Sequence, residues 1–199
     1  AVLSYCGAPI PVWQQGRWTP LPGWSNPVAV PFARMKPRLG ALCDIPDLEL
    51  LPRRHPGVQS VMFRAALEVS LAQRGFAWLA ALRRAGLVSR PERWAPLLQR
   101  AGDWLNPFGS DVGGMVLRVQ GLDAQGQPRQ RAWHITAGQD HGPEIPCMAA
   151  ILLARRWARG EAVTPGAGPC AGLLSLAEFA PEFARWGMVS EVIEEAPPG

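Results

Sequence analysis

Lysine is almost missing from this sequence: of its 20 basic residues, only Lys36 is not an arginine. That removes nearly all scope for Schiff-base chemistry, which needs a lysine amine. Histidine is scarce too. His55, His134 and His141 are the full set, and no two make an H-x-x-x-H pair. The four cysteines, Cys6, Cys43, Cys147 and Cys170, are widely spread with no C-x-x-C. Metal-ligand spacing is therefore absent, and no metal is expected. No apolar run approaches the ~20 residues needed to cross a bilayer, so no membrane partner is expected. No charged-then-apolar leader marks the chain for export. Without one, a disulfide framework does not suit a chain of this length, and reduced thiols in a cytoplasm are the expectation.

What is present is a chain of 199 residues, 48% of them hydrophobic, enough for a real core. The first residues, "AVLSYCG", read like the middle of a strand, as if the chain were a piece of something longer. Net charge is +4, but the arginines are scattered among acids with no basic run and no aromatic-interleaved RNA motif. Nucleic acid is therefore not an expected partner.

Residues 1–56 are rich in proline and tryptophan, which forbids a long helix and allows only short or edge strands. They read as an extended arm over a core of residues 57–195, anchored by Trp13, Trp18 and Trp24. In "VMFRAALEVSL" the apolar residues from Val61 to Leu71 alternate, which predicts a strand. Gly75 then leads into a helix that Gly86 stops. Ser89-Arg90-Pro91-Glu92 offers an N-cap for a second helix reaching Leu105. "GMVLRVQGLDAQGQPRQRAWHIT" predicts a β-hairpin. Placing Met115, Leu117 and Val119 on one face with Trp133 and Ile135 requires an odd loop. Ala124-Gln125-Gly126 supplies it, with Gly126 left-handed. Val116, Arg118, Ala132 and His134 then share the other face. Pro146 predicts a helix start and Gly160 its end, with Arg155, Arg156 and Arg159 at the negative pole of the helix dipole. Ser175 and Glu178 form a capping-box pattern, and "GMVSEVIEE" is a last strand. The expected fold is one α+β domain: a mixed, largely antiparallel sheet with helices packed on one face, plus the proline-rich arm.

Chemistry could sit in several places. "PGAGPCAG" nearly spells a dinucleotide fingerprint through Gly166, Gly168 and Gly172. That fingerprint needs a strand before it and a helix directly after, and Pro169 inside the loop favours a tight turn. The loop "GQDHGPEIP" brings His141, Gly142 and Glu144 to a helix terminus whose free amides attract carboxylates. Cys147 in that first turn could be a thiolate and pair with His141, although a buried structural cysteine is commoner. On the hairpin, Arg118 could fork a carboxylate and His134 could move a proton, if their face lines a cleft. No side chain can be assigned a catalytic role.

The stretch from Phe108 to Phe179 resembles the C-terminal part of saccharopine dehydrogenase-like proteins. The residues that carry the likeness are Gly109-Ser110-Asp111 with Gly113-Gly114, the strand ending at Gly121, Trp133, Gly142-Pro143-x-Ile145-Pro146 and Gly160. Gly166-Ala167, Pro169-Cys170 and Gly172 complete it. "SYCGAPIP" and "GWSNPVAV" look like the point where such chains leave their nucleotide-binding half, and the likeness is looser before Gly57. The resemblance implies a substrate-binding and oligomerisation domain of an NAD(P)-dependent oxidoreductase. NAD or NADP would be held by an N-terminal Rossmann domain absent from this chain, which alone would bind no coenzyme and be inactive. By the same likeness the substrate is amino-acid-like, and its cleft is bounded by Gly109–Gly114 and Gly142–Pro146. A homodimer is expected, since an exposed sheet face or edge tends to pair. The alternative is a stand-alone module that captures a small carboxylate without chemistry.

Overall fold

The computed structural model describes residues 2–161 and 166–196. In chain order, α1 (Val2–Tyr5) is followed by strands β1 (Pro9–Gln14), β2 (Arg17–Pro22), β3 (Val28–Val30) and β4 (Arg38–Leu42). Next come α2 (Asp47–Arg54), β5 (Arg64–Ala66), α3 (Ser70–Arg84) and α4 (Ala95–Leu105). The hairpin β6 (Gly113–Leu122) and β7 (Pro128–Ala137), helices α5 (Glu144–Ala158) and α6 (Leu176–Arg185), and β8 (Val189–Glu195) complete the fold. The architecture is α+β. Instead of one mixed sheet, the strands form three antiparallel sheets, β1–β2, β3–β4–β5 and β6–β7–β8.

The chain also divides into two compact units rather than one. The first runs from the N-terminal residues to Pro31 and resumes at Pro37–Ser110. The second joins Phe32–Lys36 to the chain from Asp111 onward. In the first unit the proline-rich stretch supplies core: Cys6, Trp24, Ala41 and Cys43 pack with Leu79 and Ala80 of α3. The opening residues form the short helix α1, not mid-strand. Prolines set the β1–β2 ribbon, where Pro9 and Pro11 face out opposite Pro22 and Pro20 while Ile10 and Val12 are buried. Proline has no N–H to give a ladder, so it suits such edge strands. Gln15 and Gly16 close the ribbon with φ of 50° and 73°, the mirror-image turn that suits a two-residue hairpin. Trp13 and Trp18 are cross-strand partners, their rings edge-on at 5.1 Å. Trp24 is only 2% exposed, and its indole N–H has no hydrogen-bond partner among the described residues.

The expected strand over Val61–Leu71 shrinks to the three residues of β5, and Ser70 already belongs to α3. The cause is the fully buried Gln73. Its Oε1 accepts the Leu67 N–H at 2.9 Å and its Nε2 donates to the Ala65 carbonyl at 3.4 Å. One side-chain amide thus replaces a neighbouring strand. Gly75 lies inside α3, and Gly86, at φ +76°, stops it as expected. The next helical stretch starts as a 3-10 turn at Pro91 and reaches Leu105, but its cap is Arg90 and not Ser89.

In the second unit the hairpin has the expected register: Met115 opposes Ile135, Leu117 opposes Trp133, and Val116 opposes His134. Gly126 has φ +75°, and Asp123 and Gln127 close the three-residue loop with a 2.9 Å backbone bond. Helices α5 and α6 lie on the Ile135 face, where Met148, Phe183 and Met188 pack against Ile135 and Ala137. They cover only part of it. Met115, Leu117 and Val119 of β6, expected to be core, are 40%, 51% and 61% exposed. The opposite face, shared by Val116, Arg118, Ala132 and His134, is buried at Ala132 and His134. Helix α5 starts at Glu144, two residues before Pro146, and α6 follows Ser175 with a capping box in which Glu178 accepts the Ser175 N–H at 2.7 Å.

Candidate functional site

The residues singled out in the sequence fall into three places. Gly109 and Ser110 belong to the first unit, where they close on Glu68. Its carboxylate accepts the Ser110 N–H at 2.8 Å and the Ser110 hydroxyl at 2.5 Å, and pairs with Arg38 at 3.0 Å. Burial pushes the Glu68 carboxyl up, but the Ser110 hydrogen bonds and the Arg38 charge outweigh it and hold it below its usual range. Glu68 was not foreseen from the sequence. Its strand-like surroundings made it look like one member of an alternating run.

Arg118 and His134 do share a face of the β6–β7–β8 sheet, as the hairpin register dictates, but neither is open to a ligand. His134 is 4% exposed, and its Nδ1 accepts the backbone N–H of Ala33 at 3.2 Å. An acceptor at Nδ1 requires the neutral ring with its proton on Nε2. Arg118 forks onto Glu195, with Nε–O distances of 3.2 and 3.0 Å. Burial raises the Glu195 carboxyl, yet the hydrogen bonds from Arg118 and Gln130 prevail and its pKa is lowered. Glu191 stands opposite His134 across the β7–β8 ladder and pairs with Arg34 at 2.6 Å. The alternation of "VSEVIEE" puts Glu191 and Glu195 on this face, a signal that was available in the sequence. The segment Phe32–Lys36 that closes the face left no such sign.

The third place is a loop cluster within the second unit. Asp111 reaches Gln139, whose N–H it accepts at 3.0 Å, while its own carbonyl accepts the Asp140 N–H at 3.0 Å. Gln139 and Asp140 both adopt left-handed backbone, with φ of 56° and 58°. A Cβ on Gly113 would lie 3.3 Å from the Gly142 Cα, so the two backbones meet where only glycine fits comfortably. His141 follows, half-buried, with its ring edge-on to Trp186 at 4.8 Å. Asp111, Gly113, His141 and Gly142 are therefore neighbours. Gly114 sits just behind, its α-carbon closed in by the Ile135 carbonyl and the Met35 side chain.

The start of α5 is less available to an anion than its sequence suggested. The Glu144 N–H donates to the His141 carbonyl at 3.1 Å, the Ile145 N–H donates to the Gly142 carbonyl at 3.2 Å, and Pro146 has none. Cys147 is exposed and shares no described hydrogen bond with His141. Past α5, a cleft of about 280 Å³ lies between α5 and α6. Its three arginines are each matched by acid: Arg155 with Glu182, Arg156 with Glu178, and Arg159 with Glu161 at 2.8 Å.

Gly166–Gly172 does not fit a pyrophosphate. It is irregular, and α6 starts only at Leu176, so no helix follows it directly. Pro165, the first residue of "PGAGPCAG", lies outside the described residues. Among the described residues no three His, Cys, Asp or Glu side chains are grouped to hold a metal, and no helix is long and apolar enough to cross a membrane. No protein-family model matches the chain, and no curated protein matches it.

Proposed function

We propose that the chain is the substrate-side, self-associating domain of a saccharopine dehydrogenase-like NAD(P)-dependent oxidoreductase, whose coenzyme is held by a separate Rossmann domain. The observation that carries the reading is the meeting of two segments far apart in sequence. The resemblance marks both, and Gly113 lies against Gly142 with Asp111 and His141 alongside. In this reading the chain's own part is to bind and orient an amino-acid-like substrate. His141 is the group suited to hold or move a proton there, because an imidazole ring carries both a donor and an acceptor nitrogen. Glu144 and the backbone of the Gln139–Gly142 loop shape the wall.

The experiment is an assay of the complete open reading frame that encodes this segment, following NAD(P)H absorbance with amino-acid and 2-oxo-acid substrates. An in-frame G-x-G-x-x-G segment, coenzyme binding and a fall in kcat/KM for His141→Ala are the expected results. A complete frame that encodes no such segment and binds no NAD(P)H would overturn the reading.

A further inference from the structure

We infer that β6 is a self-pairing edge: two copies of the chain join by antiparallel β6–β6 contact about a two-fold axis at Leu117, making one continuous sheet of their β6–β7–β8 sheets. The inference rests on the self-association in the reading above and narrows it to one strand. It does not depend on the coenzyme.

Strand order places both β6 and β8 at edges. An edge strand presents unpaired main-chain groups, and proteins blunt such edges with charge, proline or brevity. Three glutamates, Glu191, Glu194 and Glu195, stand on β8, each paired with an arginine. The β6 edge is less protected: from Gly113 to Leu122 it contains no proline and a single charge, Arg118, which pairs with Glu195. At about 3.4 Å per residue, Gly113 to Gly121 offers roughly 27 Å of ladder.

What fits a bare strand edge is another strand, and the sequence of β6 is close to its own complement. Turned about Leu117, "GGMVLRVQG" sets Gly113 against Gly121, Met115 against Val119 and Leu117 against Leu117 of the second copy. Val116 then faces Arg118, so no like charges stand directly opposite each other. Met115, Leu117 and Val119 are 40–61% exposed on the face that α5 and α6 leave uncovered, and the contact would put both copies' rows side by side. Val192, 60% exposed on β8, extends that apolar face within each copy. A two-fold contact of this kind is closed, so it stops at a dimer.

The test uses Leu117→Cys in the full chain with the exposed Cys147 and Cys170 changed to serine, and Val192→Cys in the same background as the control on β8. Opposed residues in an antiparallel pair have Cβ atoms about 4.5–5.5 Å apart, close enough for a disulfide after small adjustment. Sedimentation of the unaltered chain should give a dimer. Leu117→Cys should become a covalent dimer under mild oxidation, while Val192→Cys should not. Leu117→Lys, at a half-exposed site that the monomer tolerates, should keep its circular dichroism and raise the dimer Kd by roughly tenfold or more. A dimer that cross-links through residue 192 as readily as through 117, or not through 117 at all, overturns the β6 contact but leaves self-association standing. A monomer at high micromolar concentration overturns both, and neither result bears on coenzyme binding by the complete frame.

Discussion

The Ala33 backbone donates its N–H to Nδ1 of His134, 101 residues further along the chain, at 3.2 Å. The bond fastens the Phe32–Lys36 segment onto the β6–β7–β8 sheet beside a histidine that is 4% exposed. Replacing His134 with alanine removes the acceptor and leaves the Ala33 amide without its partner, a loss of about 1–3 kcal/mol. Urea unfolding should show it as a lower midpoint with an unchanged slope. A midpoint indistinguishable from that of the unaltered protein would mean the bond contributes nothing.

Glu195 yields a prediction with a definite sign. Arg118 and Gln130 hold its folded-state pKa below the unfolded value, which for glutamate is about 4.3. Its contribution is therefore fully present above about pH 4.3 and fades as pH falls toward the lower, folded-state pKa. Glu195→Gln should be less stable than the unaltered protein near neutrality, and that difference should shrink on acidification. Glu68, also lowered, should behave alike, so the two variants need separate measurement. A gap for Glu195→Gln that widens toward acid would contradict the assignment.

Two glycines should respond in opposite directions to alanine. A Cβ at Gly114 would fall 2.5 Å from the Ile135 carbonyl oxygen and 3.1 Å from the Met35 sulfur, so backbone must shift. Overpacking of that kind costs about 1–3 kcal/mol. At Gly102, inside α4, nothing lies within 4 Å. There alanine should stabilise by roughly 0.5–1 kcal/mol through helix propensity. Thermal melting of the two variants checks both signs at once.

Thiol labelling should divide the cysteines evenly. Cys6 is buried, and burial pushes its pKa up to about 11. Burial also raises the Cys43 thiol, despite the hydrogen bond it shares with Tyr5. Cys147 and Cys170 are exposed. Iodoacetamide at neutral pH should modify Cys147 and Cys170 in the native protein and all four in denaturant. Fast native labelling of Cys6 would be incompatible with this core.

Features fixed by neighbouring residues were legible in the sequence. The hairpin register followed from alternation plus the left-handed Gly126, the α6 start from Ser175 and Glu178, and the α3 stop from Gly86. Features set by distant residues were not: nothing local says that Phe32–Lys36 will close over His134. Nor does alternation show that Gln73, only six residues past Leu67, will close off β5 with its side-chain amide. Periodicity also reports which side chains share a face, not whether anything covers them. It grouped Met115, Leu117 and Val119 correctly and gave no warning that they would be exposed. At the candidate site, resemblance marked Gly113 and Gly142, but only the fold shows them touching. It equally divides Ser110 from Asp111, which adjoin in sequence and belong to different units.

The crossing of Phe32–Lys36 into the second unit has a practical corollary for anyone dissecting the molecule. A fragment cut at Asp111 would lose the donor to His134, the cation beside Glu191 and the thioether over Gly114 in a single stroke. Such a truncation would show a wet, partly undressed sheet. Supplying residues 32–36 as a separate peptide should restore its protection against hydrogen exchange.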